Sequence, residues 1–589
     1  MTNPLAFYTE EKLALETELA ILKKKLFNVS VFRFVVFLAT IFGMYYFFGS
    51  VLHVLITASI GFLIFALLVL KNASVQIEKQ VLESKIKINA TEIAVLNGDF
   101  SFLKPGNEFV DPHHFYSNDI DLFGQGSFFQ YSNRTVTEEG SKLYAEILTE
   151  NKISDIEIKQ KAIRELADNT SWRQHFSAIA SLVKVRYSSN TILSYIQNYR
   201  AILSESLGKI VTAFSIISIV LIALVSLQVV PFTILVVWFF LGLFISASHI
   251  KKTQKIYNSA GKAKETFKQY YQLLSAIEKQ TFSAELLKEK QQIIQSENIK
   301  ASIVFQRFSK ILDAFDQRNN VVIAIFGNAL FLWDIQNACK VEKWISTYKH
   351  TVEKWFEVIT FFDAQNTLAN FSYNHPSFVL PKIVESNSIV KATDLGHPLL
   401  NPNKRIDNNF LINDEQFFIV TGANMAGKST FLRTVSLTIV MSNIGLPVCA
   451  KVFEYIPIKL ITSMRTSDSL ADDESYFYSE LKRLKFIVDE IETKKYFIIL
   501  DEILKGTNSK DKAIGSKKFI EKLSNSKSTG IIATHDVSLC VLEDEFSDIE
   551  NYFFDAEIIE DELHFDYTLK KGVCKNMNAS FLLKKMEII

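Results

Sequence analysis

From Phe34 to Leu70 the chain carries no Asp, Glu, Lys or Arg, and the same holds from Ile210 to Ile250. Uncharged stretches this long are rare in water-soluble domains, and each exceeds the roughly 20 residues with which one helix crosses a hydrocarbon core. Divided near Gly49-Ser50 and near Gln228 to Pro231, each predicts two apolar helices of about 18 to 20 residues. Lys23, Lys24, Lys25 and Arg33 precede the first stretch and Lys71 follows it; Lys209 precedes the second, and Lys251 and Lys252 follow. The short connectors carry no Lys or Arg. By the positive-inside tendency this pattern predicts a multi-pass protein of a bacterial inner membrane, in contact with membrane lipid, with both termini and every large segment cytoplasmic. The opposing reading is two buried helical hairpins in a soluble core.

With 589 residues the chain is too long for one core, and Lys plus Arg equals Asp plus Glu at 64 each. No global field would draw it to nucleic acid or to an anionic surface, so any DNA contact must be local. Cys339, Cys449, Cys540 and Cys574 lack C-x-x-C spacing, which argues against a zinc site or a disulfide framework. The first residues, with Glu10, Glu11, Lys12, Glu16 and Glu18, read as a charged helix rather than a cleavable signal. Val321 to Trp333 is a further apolar run, too short to span and therefore expected as a core helix.

Phe417 to Thr421 reads as a short buried strand that enters G-x-x-x-x-G-K-S and then a helical pattern. Glycines let the backbone turn its N–H groups toward phosphate oxygens at a helix N-terminus. The candidate nucleotide-binding set is Gly422, Ala423, Asn424, Met425, Ala426, Gly427, Lys428, Ser429 and Thr430. Lys428 supplies a cation and Ser429 a hydroxyl for Mg2+. The apolar run Tyr496 to Leu500 ends in Asp501 and Glu502, predicting a metal-holding acid and a carboxylate that orients or deprotonates water. A third strand, Thr529 to Ala533, leads to His535, a candidate sensor of the terminal phosphate at the same sheet edge. Lys428, Glu502 and His535 are thus the candidate catalytic residues, with ATP and Mg2+ as cofactors.

The segments TGANMAGKSTFLRTV, SDSLADDESYFYSELKRL, LDEILKGTNSKD and ATHD, in this order, resemble the ATPase domain of MutS proteins. Leu395-Gly396-His397-Pro398 and Asn408 are similar to the lead into its phosphate loop. The resemblance implies an α/β P-loop NTPase of the ABC class in its MutS-like form, acting as a homodimer through paired ATPase domains. It further implies that Ser475 completes the partner's nucleotide site, that residues 506–509 lie at the dimer interface, and that Tyr567 stacks on adenine. Ala423 and Ala426 stand where the family has Pro and Gly, and Lys505 where it has Arg. More weakly, residues 134–148 and 156–166 resemble the start of the MutS core, and residues 361–369 the end of its lever.

The expected organisation is a cytosolic helix (1–33), a transmembrane hairpin (34–70), a core-like helical region (71–208), a second hairpin (209–252), a helical lever region (253–385) and the ATPase domain (386–589). The Phe-x-Glu wedge of mismatch readers is not found: Phe519-Ile520-Glu521 falls inside the ATPase domain. The basic stretch from Lys251 to Lys264 reads as a solvated face or a lipid head-group contact before a DNA contact. Two functions follow as expectations. One is a membrane-anchored MutS-like ATPase that moves helical arms and engages DNA, including mismatched DNA. The other is a DNA-independent membrane ATPase with a remodelling or structural role.

Overall fold

A computed structural model describes residues 3–182, 188–295, 300–423, 425–465, 476–505, 508–559 and 562–575. Helices α1 (Pro4–Tyr46) and α2 (Val51–Leu96) form the first hairpin. Neither breaks where its apolar run meets charged sequence, because no Pro or Gly interrupts the chain there. The charged ends pair through Leu15, Leu22, Val75 and Leu82, one heptad apart on each helix, so the hairpin continues as a two-helix coiled coil. Helices α3 (Phe128–Ser132), α4 (Glu138–Thr149), α5 (Ile156–Asp168), α6 (Thr170–Ser181) and α7 (Ser189–Gln197) follow. The second apolar pair is α8 (Glu205–Ser226) and α9 (Phe232–Gly261). By length and composition, four helices among the described residues suffice to cross a membrane: α1, α2, α8 and α9.

The remaining helices are α10 (Lys264–Lys279), α11 (Glu285–Ile294), α12 (Ala301–Asp316), α13 (Asn328–Phe331), α14 (Trp333–Tyr348) and α15 (Val352–Asn374). Of these, α10, α11, α12, α14 and α15 share one core with α5 and α6. At its centre Phe267 meets Phe305, Phe308 and Trp344 edge-on, with ring centroids 4.7, 4.8 and 5.3 Å away. The run from Val321 to Trp333 is no core helix. It forms a π-helical turn (Ile323–Gly327) and then α13, and it lies against α8 and α9 with Val321 and Val322 71 % and 62 % exposed.

The C-terminal region is a mixed α/β domain. Its strands are β1 (Lys382–Ile383), β2 (Ser388–Leu395), β3 (Asn408–Asn413), β4 (Phe417–Gly422), β5 (Val452–Tyr455), β6 (Lys459–Ser463), β7 (Tyr496–Asp501), β8 (Thr529–Ala533), β9 (Ile549–Ile559) and β10 (Glu562–Lys571). Six form the main sheet in the order β10-β9-β4-β8-β7-β6, parallel except for β10. A smaller sheet runs β1-β5-β2-β3. Alternation along β4 divides the core: Phe418 and Val420 pack with Leu432 and Val435 of α16 (Lys428–Asn443). Phe417 and Ile419 pack on the other face, with Ile487 of α17 (Tyr476–Ile491) and Ile520 of α18 (Ser509–Ser524).

Residues 107–149, expected within the helical core, instead pack into this domain; Tyr116, Leu122, Phe129 and Tyr144 share the cluster of β4 and α16. Phe115 O accepts from Thr462 N at 2.9 Å and from Arg483 Nη2 at 2.6 Å, and Asp119 Oδ1 accepts from Arg465 N at 2.9 Å. This contact covers the free edge of β6, whose unpaired backbone groups would otherwise invite another strand.

Candidate functional site

The strand β4, its glycine loop and the N-terminus of α16 set the geometry. Gly422 and Gly427 have φ of 150° and 104°. A Cβ on Gly427 would sit 3.0 Å from the Tyr567 ring, so the loop needs both the left-handed backbone and the missing side chain. Asn424 and Ser475 lie outside the described residues, as do Gly506 and Thr507. Ala426 is buried beneath the loop, and Met425 projects at its tip, 76 % exposed.

Lys428 begins α16, and its side chain folds back under the loop. Its Nζ donates to Gly422 O at 2.8 Å and Ala423 O at 2.9 Å and lies 3.5 Å from His535 Nε2. Burial holds its pKa below the ordinary lysine value. Ser429 Oγ donates to Asp501 Oδ2 at 2.7 Å, joining the helix N-terminus to the end of β7. A hydroxyl and a carboxylate converging beside a helix N-terminus are the oxygen donors that a hard divalent cation takes alongside water and phosphate. These two residues could hold Mg2+.

Glu502 follows β7 with φ 52°, its N–H bonded to Ala533 O at 2.9 Å across the sheet end. Its Oε1 lies 2.9 Å from His535 Nε2, and Lys505 Nζ is 3.7 Å from the other oxygen. The hydrogen bond from His535 holds the Glu502 carboxyl down to about 2, with Lys505 adding to the effect against the cost of burial. It is therefore a carboxylate across the neutral range. Strand order places β4, β8 and β7 side by side, which brings Lys428, His535, Asp501 and Glu502 to one edge.

Glu480 of α17 completes this edge and was not singled out by its sequence context. It is 3 % exposed and accepts from Leu504 N and, at 3.0 Å, from Lys505 N, which holds the turn after β7 in place. Burial raises its pKa. Only its position in SYFYSELKRL, among polar residues on a helix, could have marked it.

Beside the loop lies a cavity of about 260 Å³ lined in part by His397, Arg405, Asn408, Thr430, Phe431 and Tyr567. Asn408 donates to Tyr567 O at 3.0 Å and accepts from Leu569 N at 2.7 Å, bracing the irregular stretch of β10 that presents Tyr567, itself at φ 53°. Burial, with Arg433 and Arg405 nearby, lowers the His397 imidazole to about 4, so it is neutral at pH 7. An aromatic wall next to an anion-binding loop suits a planar base joined to phosphates.

A parallel sheet with a glycine loop opening a helix, and an acid pair two strands away, defines the class of this α/β domain. The chain matches MutS domain V over residues 418–585. It is 26 % identical over 261 residues to human MutS protein homolog 4, covering 42 % of this chain and 27 % of the relative. It is 30 % identical over 243 residues to DNA mismatch repair protein MutS of Clostridium botulinum (strain Okra / Type B1), covering 40 % and 26 %. For DNA mismatch repair protein MutS of Fervidobacterium nodosum the values are 28 % over 232 residues, 38 % and 28 %. The matched part thus spans about a quarter of the length of these relatives.

Proposed function

We propose that the chain is a membrane-anchored, MutS-type P-loop ATPase that couples ATP binding and hydrolysis to movement of its helical hairpins. The observation that carries this reading is the meeting of Lys428, Ser429, Asp501, Glu502 and His535 at one sheet edge beside the Tyr567 cavity. Mg2+ bound there would supply charge neutralisation for the triphosphate; Ser429 and Asp501 would hold it. Lys428 would exchange its two loop carbonyls for phosphate oxygens. Glu502, ionised and steered by His535, would orient or deprotonate the attacking water. Loop N–H groups from Gly422 to Thr430 would line the phosphates, and Tyr567 would stack on the base.

A second copy would close the site. The exposed Met425 at the loop tip supports a homodimer through these domains; the role of Ser475 at the partner's site is what the resemblance implies. The apolar exposure of α1, α2, α8 and α9 supports anchoring in lipid, and the basic flanks support cytoplasmic termini and a cytoplasmic α/β domain.

The test is Mg2+-dependent ATP hydrolysis by detergent-solubilised full-length protein. Glu502→Gln should retain ATP and lose turnover by on the order of 10²- to 10³-fold, in the range found when one transition-state-stabilising group is removed. Unchanged turnover in this variant would remove Glu502 from the chemistry. The similarity to DNA mismatch repair proteins favours a second reading in which DNA, including mismatched DNA, is a ligand. Salt-sensitive duplex binding with stimulated ATPase would support that reading, and its absence supports the DNA-independent remodelling role.

A further inference from the structure

The apolar run that leaves the core reaches deep along the second hairpin. Phe326 meets the ring of Phe239 at 5.7 Å. Phe239 precedes Lys251, where the charged sequence of α9 begins, by twelve residues, or roughly 18 Å of helix. In a hydrocarbon core of about 30 Å that depth lies past the midplane. From Asn319 to Trp333 the chain carries no charged residue, and an Arg318–Asp334 ion pair at 3.1 Å closes the base of the excursion. The Arg318 guanidinium there lies over the rings of Tyr257 and Phe315, at 5.1 and 5.5 Å, beyond the apolar part of α9.

Irregular backbone at such depth is costly unless its polar groups find partners. Here the partners come from the hairpin and from Asn328 of the segment itself. Ser246 of α9 donates to Asn328 O at 3.3 Å, and Ser215 of α8 donates to Phe331 O at 3.2 Å. Asn328 donates to Ala324 O at 3.0 Å and accepts from Asp334 N at 3.0 Å. Gly242 admits the turn: a Cβ there would fall 1.9 Å from Ala329 O. With the polar groups turned toward α8 and α9, Val321, Val322, Ile325 and Phe326 face outward, 71, 62, 43 and 54 % exposed. The Phe239–Phe326 contact sets this segment beside the part of α9 where Val237 and Phe240 are 69 and 64 % exposed.

We propose that residues 319–333 form a re-entrant segment, entering the lipid core beside α8 and α9 and returning to the same side, with these four side chains in contact with acyl chains. The proposal rests on the reading of α8 and α9 as membrane spans. The full-length protein is reconstituted in phosphatidylcholine–phosphatidylglycerol vesicles with benzoylphenylalanine at Phe326 and, separately, at Val322. Val220 of α8 serves as a span control and the exposed Ile303 of α12 as a soluble control, and adducts are identified by mass after illumination. Phospholipid adducts at Phe326, Val322 and Val220 with none at Ile303 are expected. Lipid adducts at Val220 while Phe326 and Val322 couple to a second copy, or to nothing, would overturn the re-entrant segment and leave the spans standing. No lipid adduct at any of the three would overturn the span reading and this inference together.

Discussion

The two apolar hairpins share composition and differ in attachment. In α1 and α2 only 6 % of the most apolar window is buried, and the helices contact chiefly each other. The hairpin meets the body beyond the apolar run, where Tyr8 donates to Asn374 at 2.8 Å, Asn374 donates to Glu92 at 2.8 Å, and Glu92 pairs with Arg134 at 2.6 Å. Helix α8 is 22 % buried in the corresponding window, and Val211 and Phe214 pack with Leu332 and Ile335 of the body. The first hairpin is thus an arm held at its charged root, and the second also carries contacts to the body within its apolar part, chiefly through α8, since α9 is again only 6 % buried in its window. Hydropathy alone cannot separate these cases, because both read as uncharged runs.

The sharpest way to break this contrast is at the root of the arm. Glu92→Ala leaves the Arg134 guanidinium and the Asn374 amide without their partner in a buried site, and a loss of about 3–5 kcal/mol is expected. Denaturant unfolding in detergent would measure it, and an unchanged midpoint would mean that the arm is not held there. For the second hairpin the corresponding change is Gly242→Ala, which drives a methyl into Ala329 O and should destabilise by about 1–3 kcal/mol. Gly49→Ala, in the turn of the first hairpin with nothing within 4 Å, should leave the thermal midpoint in place.

A shift in pH distinguishes the body from both hairpins. His375 accepts from Tyr131 and bonds Phe371 O through its other nitrogen, each at 2.8 Å, and burial lowers it to about 4, as it does His397. Both folded values lie below the unfolded one near 6.5, so the unfolded state binds more protons between about pH 4 and 6.5. Stability should therefore be complete above about pH 6.5 and fall as pH drops toward 4, by roughly 1 kcal/mol per unit for each histidine. A His375→Gln, His397→Gln double variant should flatten that slope in thermal melts; an unaltered slope would assign it to other groups. The smallest effect is expected at the surface of the coiled coil, where Lys79→Ala removes an i,i+4 pair with Glu83 at 3.5 Å and should cost about 0.3–0.5 kcal/mol.

Much of the candidate site was legible because it is local. The residues from Gly422 to Thr430 carry their geometry in a single turn, and Asp501, Glu502 and His535 stand where apolar strands end. What was not legible depends on contacts far apart in sequence. Glu480 reads as an ordinary polar helix residue until Leu504 and Lys505 are brought to it. Residues 107–149 were expected in a core-like helical region because residues 134–148 resemble the start of the MutS core, yet the stretch packs into the α/β domain and Phe115 covers the edge of β6, a pairing that no local period encodes. The run from Val321 to Trp333 was expected inside the core because its length is wrong for a span. Its place is decided by a glycine and two serines on another pair of helices. The unbroken lengths of α1 and α2 were hidden for the opposite reason: changing composition suggested a boundary where the backbone has none.

That continuity has a mechanical consequence. With 43 residues, α1 is about 65 Å long at 1.5 Å per residue. A rod without a joint between its charged and apolar parts cannot absorb displacement there. A tilt of about 5° around its docked Tyr8 end would sweep the far turn sideways by roughly 5 Å. Small rearrangements near Asn374 and Arg134 would therefore reach the far end of the hairpin magnified, as a pointer magnifies the movement of its pivot.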